Sequence, residues 1–472
     1  MAGLVLRVHF AARFRRCACI LSVLPVFFGQ PLSASADTIF GAMEKAYANN
    51  PDLNSVRAAL RATDENVTIA KAGFRPTLGF QSTAVQSSTG HFKPYAEGLS
   101  NSFYTVDNQL VLTQMIFDGF QTLNNVRSAE SNVLSSRESL RANEIQILYS
   151  AAEAYSDVAR DQQIEDIRRQ NLKFLQEQLR AAQARLQVGE GTRTDVAQAE
   201  AQLAGAQAQL AAAIAQLKQS QATYVQIVGE APKGVKQPAR ATKALPANLD
   251  SAVKLGMMQH PSVLAAQHAV SSAQYQVKSA EGSMLPGVSL QGTVGRHVTD
   301  DRPSSDRDYS AATITARVQV PIYQGGSEYG QIRKAKENVG AQELQVDVAR
   351  LSVQKQVTSA YAQMEAATAA ISSGRKQVEA AKLALQGVIE ERNVGQKTTL
   401  DVLNAQQVVL EAQESLVTYQ SNQVVASYAV LAATGALTVK SQGLQVAEYH
   451  PEVHYEEVKD KWFGMRATTD KK

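Results

Sequence analysis

Two rhythms of apolar and polar residues run along this chain, and each of them occurs twice. The first has a period of two. Ala312, Ile314, Ala316, Val318, Val320 and Ile322 share one face, while Thr313, Thr315, Arg317 and Gln319 share the other. Val288, Leu290 and Val294 oppose Ser289, Gln291 and Thr293 in the same way. Leu78 and Phe80 oppose Gln81 and Thr83, and Val106, Leu110 and Leu112 oppose Thr105, Asp107 and Gln109, with Asn108 intruding on the apolar face. Such alternation predicts four strands in two hairpins, about 76–117 and 286–323. Each run is about ten residues, the length a tilted strand needs to cross a bilayer. Polar loops, Ser87 to Ser102 and Arg296 to Tyr309, join the pairs, and the second carries Asp300, Asp301, Asp306 and Asp308. Phe103, Tyr104, Phe117 and Tyr309 lie near strand ends, where an interfacial aromatic girdle is expected.

The second rhythm is a heptad. Residues 120–187 contain neither proline nor glycine, and Val126, Val133, Leu140 and Ile147 fall seven apart, followed by Leu172, Leu175, Leu179 and Leu186. Ile332, Val339, Val346 and Val353 repeat the scheme, although Gly330, Gly340, Gly374 and Gly387 weaken its continuity. These runs predict helices over 119–187 and 326–393, each on the order of 100 Å long. A second helix follows each, over 192–228 and 398–435. The first of these sets Val196, Leu203, Leu210 and Leu217 beside a row of small residues, Ala199, Ala206, Ala213 and Ser220, which lets neighbouring helices approach closely.

The chain is therefore one unit written twice. Asn50-Pro51 returns as His260-Pro261, 210 residues on, and Gly189-x-x-Thr192-x-x-Asp195-Val196 returns as Gly395-x-x-Thr398-x-x-Asp401-Val402, 206 residues on. The first repeat spans 37–230, a linker 231–248, the second repeat 249–436, and a tail 437–472. A duplication of this length predicts two copies in equivalent places of a symmetric object.

Between the paired helices lie Val188-Gly189-Glu190-Gly191-Thr192 and Val394-Gly395-Gln396-Lys397-Thr398. Glycine ends the first helix, and Thr192 with Asp195, or Thr398 with Asp401, forms a capping box that starts the second. If such hairpins surround an axis, every tip residue becomes a ring.

Charge and cysteine content narrow the class. Residues 1–36 read as a secretory signal: Arg7, Arg13, Arg15 and Arg16, an apolar run from Cys17 to Phe28, and Ala34-Ser35-Ala36 at the cleavage point. Its removal lowers the formal charge from +3 to −1, which takes away the electrostatic basis for binding nucleic acid. Both cysteines, Cys17 and Cys19, leave with it, so the exported protein has no disulfide and no lipid-attachment cysteine. No stretch after residue 36 reaches eighteen consecutive apolar residues, which leaves a soluble exported protein or a barrel. Alternating strands alone also fit a soluble sheet on a core, and the helices alone a coiled-coil stalk. Four strands cannot close, however, and an open edge in lipid costs several kcal/mol per unpaired backbone group. Strands in a membrane would require several chains to build one barrel.

Zinc-ligand spacing, a phosphate-binding loop and a nucleophile elbow are absent. His450 and His454 are four apart, but Pro451 between them argues against a helix, and they read as solvated tail residues. The acids read as solvated helix faces. No metal, cofactor or enzymatic activity is expected.

Pro321-Ile322-Tyr323-Gln324-Gly325-Gly326, Val394-Gly395-x-x-Thr398-x-x-Asp401-Val402-Leu403 and Val188-Gly189-x-x-Thr192-x-Thr194-Asp195-Val196 resemble the characteristic motifs of the TolC family of outer-membrane efflux and secretion channels. The resemblance covers the chain from residue 37 onward. It implies an α+β membrane protein: a homotrimer whose twelve-stranded β-barrel, four strands per chain, continues into a twelve-helix α-barrel reaching through the periplasm of a Gram-negative cell. It implies as partners outer-membrane lipid, a periplasmic adaptor of the membrane-fusion type and an inner-membrane pump of the resistance-nodulation-division or ABC type. It also implies an entrance constriction at Asp195, Asp401, Asn404, Lys397 and Arg392, with Asp401 forming an acidic ring and Asp195 bonding across to the neighbouring helix pair. Adaptor contacts fall on Val188, Gly189, Thr192, Val394, Gly395 and Thr398, and the barrel lumen on Thr313, Thr315, Arg317 and Gln319. The chain departs from the best-known member in having Asn404 for a second aspartate, Lys397 for an arginine and Arg392 for a tyrosine. The expected function is the exit duct of a tripartite drug efflux pump, shared with type I secretion. Competing readings are a channel dedicated to protein or polysaccharide export and a trimeric coiled-coil adhesin or stalk; bilayer conductance separates the duct from the stalk.

Overall fold

A computed structural model describes residues 37–90, 100–300 and 308–467. Residues 1–36, where the signal is expected, residues 91–99 and 301–307, with Asp301 and Asp306, and residues 468–472 lie outside them. The elements run α1 (Ile39–Asn49), α2 (Pro51–Lys71), β1 (Thr77–Gly90), β2 (Ser100–Phe117), α3 (Gln121–Gln187) and α4 (Arg193–Val228). They continue α5 (Leu249–Gln259), α6 (Pro261–Gly282), β3 (Gly287–Asp300), β4 (Tyr309–Gln319), α7 (Ser327–Asn393), α8 (Thr399–Ala433), α9 (Val439–Gln442) and α10 (Pro451–Val458). Among the described residues no helix is long and apolar enough to cross a membrane.

Each repeat begins with the same device. Asn50 caps α2 by accepting from Leu53 N at 3.1 Å, and His260 Nδ1 caps α6 by accepting from Ser262 N at 3.2 Å. Pro51 and Pro261 occupy the first turn, where the missing N–H costs nothing. The strands form one antiparallel sheet in the order β1-β2-β3-β4. Its register stacks Phe80, Leu110, Val294 and Ala312 in one row of one face, and Thr77, Thr113, Gln291 and Thr315 in a row of the other. The strands have 14, 18, 14 and 11 residues and run into the segments expected to be loops. About ten residues cross the hydrocarbon core, so the surplus extends beyond the lipid. Tyr309 departs from its expected place in a lipid-facing girdle: it sits in register with His297 and Asp107 on the polar face and stacks on the His297 ring at 5.0 Å.

α3 and α7 are each 67 residues, and the glycines of α7 do not interrupt it. A glycine costs about 1 kcal/mol in a helix interior, a penalty that packing along this length outweighs. Gly374 in fact makes room: a Cβ there would lie 3.2 Å from the Tyr419 ring of α8. Near the sheet α2, α3, α6 and α7 lie side by side; farther away α3 pairs with α4, α7 with α8, and α8 also packs on α3. Ala199, Ala206, Ala213 and Ser220 are all buried, so the small-residue row is the packed seam of α4. The core lies midway, where Tyr155 and its repeat partner Tyr361 do the same task. Tyr155 donates to the Asp37 carbonyl at 2.7 Å, and Tyr361 donates to the Ala247 carbonyl at 3.1 Å.

The reading of the tail is corrected here. Pro451 does not prevent a helix but stands in the first turn of α10. His454 is buried, with Nδ1 2.8 Å from a carboxylate oxygen of the fully buried Asp64 of α2; His450 is exposed. The acids are likewise not all solvated, since Asp161 and Glu328 are also buried. Ser220 and Arg160 hydrogen-bond to Asp161.

The two halves meet most tightly where β2 turns into α3 and α6 into β3. A Cβ on Gly119 would lie 2.2 Å from the Gly282 carbonyl oxygen, and one on Gly282 would lie 2.3 Å from that of Gly119. Gly282→Ala must therefore push two backbones apart, at a cost of about 1–3 kcal/mol. The expected outcome is a lower dissociation temperature of the detergent-extracted oligomer on heated gels, with Gly292→Ala, where nothing lies within 4 Å, as the silent control.

Candidate functional site

The two helix hairpins end in tips built alike. Gly189 and Gly395 take φ of 81° and 82°, the left-handed conformation that closes α3 and α7 without a Cβ penalty. Thr192 Oγ1 accepts from Asp195 N at 3.1 Å, and Thr398 Oγ1 from Asp401 N at 3.2 Å. The carboxylates return the contact: Asp195 accepts from Thr192 N at 3.0 Å and Asp401 from Thr398 N at 2.9 Å. Val188 and Val394, at 71% and 72% exposure, present apolar side chains to the surroundings at both tips.

The acid of the second tip is electrostatically prepared. Hydrogen bonds from the Thr398 backbone and hydroxyl, with the Lys397 charge nearby, hold the Asp401 carboxyl below its ordinary range. Lys397 and Asn404 are exposed; Asn404 lies one turn beyond Asp401 on α8. Arg392 reaches out of its own hairpin: Nη1 donates to Gln178 Oε1 of α3 at 2.6 Å, and Nη2 to Asn393 at 3.3 Å. Burial, then the like charge of Arg185, lowers its pKa, and its buried Nε has no hydrogen-bond partner among the described residues.

Above the tips, contacts that sequence reasoning did not single out join the halves. Arg168 of α3 donates to both carboxylate oxygens of Glu414 of α8, at 2.6 and 3.2 Å, and to the Gln209 carbonyl of α4 at 2.8 Å. Gln406 donates to Asn171 at 2.8 Å, and Leu403 packs with Leu175 and Ala206. Three helices from two hairpins are thus clamped by one forked guanidinium. Arg168 and Glu414 lie 246 positions apart, and the packing of α8 on α3 brings them together.

At the other end, Thr313 pairs with Thr293, Thr315 with Gln291, Arg317 with Ser289 and Gln319 with Gly287. The polar face also holds Asp107 against His297 Nδ1 at 2.5 Å, with His297 Nε2 2.8 Å from Thr299 Oγ1. Among the described residues β1 and β4 each have one partner, so both edges of the sheet are open there.

A sheet with one apolar and one polar face and two open edges, standing on helices tens of residues long, fits a class: one sector of an oligomeric channel wall. Comparison with known proteins leads to the same class. The outer membrane efflux protein family profile matches residues 42–230 and 256–436, one segment for each repeat. The outer membrane efflux protein BepC of Brucella suis biovar 1 (strain 1330) is 45% identical over 457 residues, covering 96% of this chain and 98% of that protein. The alkaline protease secretion protein AprF of Pseudomonas aeruginosa is 23% identical, over 79% of each chain. The crystal structure of the Campylobacter jejuni CmeC outer membrane channel shares the fold at a TM-score of 0.75, over 90% of each chain at 16% identity.

This chain belongs to the outer membrane efflux protein family, the family of TolC. It is a channel of the Gram-negative outer membrane that extends into the periplasm, an efflux duct and not an enzyme. Channels of this family are homotrimers within tripartite systems.

Glu414→Gln removes the charge that Arg168 faces. For a part-exposed pair the loss is on the order of 1 kcal/mol per chain. Reconstituted channels carrying it are expected to conduct more than the parent in planar bilayers; equal conductance from intact oligomers would place this clamp outside the moving parts.

Proposed function

We propose that the chain is the exit duct of a tripartite pump for drugs and toxic amphiphiles, and that type I protein secretion uses the same duct. The observation that carries this reading is the near full-length 45% identity to an outer membrane efflux protein, supported for secretion by the weaker likeness to AprF. A periplasmic adaptor engages the hairpin tips at Val188, Gly189, Thr192, Val394, Gly395 and Thr398. These exposed turns are rigidified by their capping boxes and carry apolar residues at their ends. Energy comes from an inner-membrane pump of the resistance-nodulation-division or ABC type, because the duct has no energy-coupling chemistry of its own.

Asp401 forms the selective ring at the periplasmic entrance, and Asp195, Lys397 and Arg392 hold the tips closed. Asn404 makes this a single acidic ring, and Lys397 is a point charge that cannot fork onto a carboxylate. In the closed duct Arg392 holds Gln178, and docking of the adaptor draws the α7–α8 hairpin away from α3. Thr313, Thr315, Arg317 and Gln319 line the barrel lumen.

The pH sign follows from the depressed Asp401 pKa. The tip stabilisation from its charge is present above the unfolded carboxyl value and is lost as pH falls through the lower folded value. The cation preference of the parent is therefore expected to persist as pH falls to about 4, near the unfolded aspartate pKa. Asp401→Asn should reduce the preference at every pH at which the parent carboxyl is charged, as read from bilayer reversal potentials, and Lys397→Ala should raise conductance. For the whole reading, deletion of the gene is expected to raise sensitivity to drugs and detergents and to deplete a secreted protein. Unchanged drug sensitivity with a depleted secretome would favour a dedicated export channel.

A further inference from the structure

The tail is tied to the wall of the duct along a line that climbs toward the sheet. His454 meets Asp64, and Tyr455 lies over the guanidinium of Arg137 on α3, 5.1 Å from ring centre to Cζ. Thr68 then donates to the Val458 carbonyl at 2.7 Å, Lys71 to Asp460 at 2.7 Å, and Arg75 to the Lys461 carbonyl at 2.8 Å. Asp64, Thr68, Lys71 and Arg75 succeed one another by about a turn of helix, so the tail runs parallel to α2 up to the start of β1. There Trp462 lies over Arg75, 4.9 Å from ring centre to guanidinium carbon.

This is the end of the sheet that meets the helices, where strands in a membrane would leave the lipid. Exposed apolar side chains mark it beside every strand end: Phe74 before β1, Phe120 after β2, Leu285 before β3, and Ile322 and Tyr323 after β4. The tail adds Trp462 at 57% exposure, Phe463 at 86% and the fully exposed Met465, within a segment that also holds Lys459, Lys461 and Arg466. Among the described residues Trp462 meets Arg75 on one side and the Phe463 ring at 6.3 Å. A tail on the outer side of the wall leaves the passage free and reaches the surrounding membrane.

We infer that the segment Lys461–Met465 is a membrane anchor: Trp462 and Phe463 enter the headgroup and acyl boundary of the periplasmic leaflet, beside the point where β1 emerges. Aromatic rings with a polar edge favour that depth, and neighbouring lysines favour the phosphate layer above it. The occupant is phospholipid rather than protein because the exposed rings sit at the same level as the belt of the sheet and are flanked by Lys461 and Arg466. Anchoring would hold the tail against α2 and fix the height of the helical duct in the membrane.

Trp462 is the only tryptophan in the chain, so its fluorescence reports on this site alone. The test uses the oligomer reconstituted in vesicles of phosphatidylethanolamine and phosphatidylglycerol, without substitution. The expected result is blue-shifted emission, quenched more by phospholipid brominated near the headgroup than near the bilayer centre, and little quenched by iodide. Quenching by iodide with no effect of brominated lipid would place the ring in water and overturn the proposal. Emission untouched by either would place it under a neighbouring copy, and stronger quenching from the bilayer centre would place it off the boundary; both also overturn the proposal. Trp462→Phe, which abolishes the signal, verifies its source.

Discussion

The backbone hydrogen bonds that β1 and β4 do not make within the chain govern everything else in this molecule. In water an open edge is a nuisance, but in hydrocarbon each unpaired N–H or C=O costs several kcal/mol. With eleven or more residues on each edge strand, a single chain cannot remain in lipid. Three copies close the sheet, and the helices are carried into a closed ring below it.

The internal repeat says where that closure falls. Gly119 touches Gly282, and Ser128 shares a hydrogen bond of 2.8 Å with Ser272, across the seam between the halves of one chain. Shifted by the repeat, the second-half counterpart of Ser128 is Lys334, and the first-half counterpart of Ser272 is Ala62. Both are exposed within the chain, as are Leu344, Val348 and Leu351 farther along α7. The seam between halves is thus a template for the seam between copies, and the trimer comes close to a six-fold ring of half-chains. Departures from that symmetry include the Glu414 clamp of α8, which belongs to one half only, and the Asp401 carboxyl, held low chiefly by its hydrogen bonds from Thr398.

Local patterns carried most of the architecture into the sequence. The alternating strands were legible because one face must meet lipid and the other water. The capping boxes were legible because both partners lie within three residues. The small-residue row of α4 marked a seam because only packing needs such a row. What stayed hidden depends on long-range placement. Tyr309 joins the polar face because the strand begins one register position from where an aromatic would reach lipid. Pro451 reads as a helix breaker until the chain is seen to enter α10 through it, and His454 becomes a buried partner only because α2 presents Asp64. At the tips, Asp195 and Asp401 are visible as caps, whereas the reach of Arg392 to Gln178 depends on how two hairpins stand against each other.

Disulfide trapping across the seam tests the closure directly. With Ala62→Cys and Lys334→Cys in a chain whose two other cysteines, Cys17 and Cys19, are replaced by serine, oxidation in outer-membrane vesicles is expected to yield a covalent trimer as the limiting species on a non-reducing gel, and each single variant none. A double variant that is oxidised only within one chain, or that stays monomeric while its thiols are consumed, would contradict the account that each chain is a third of one continuous wall.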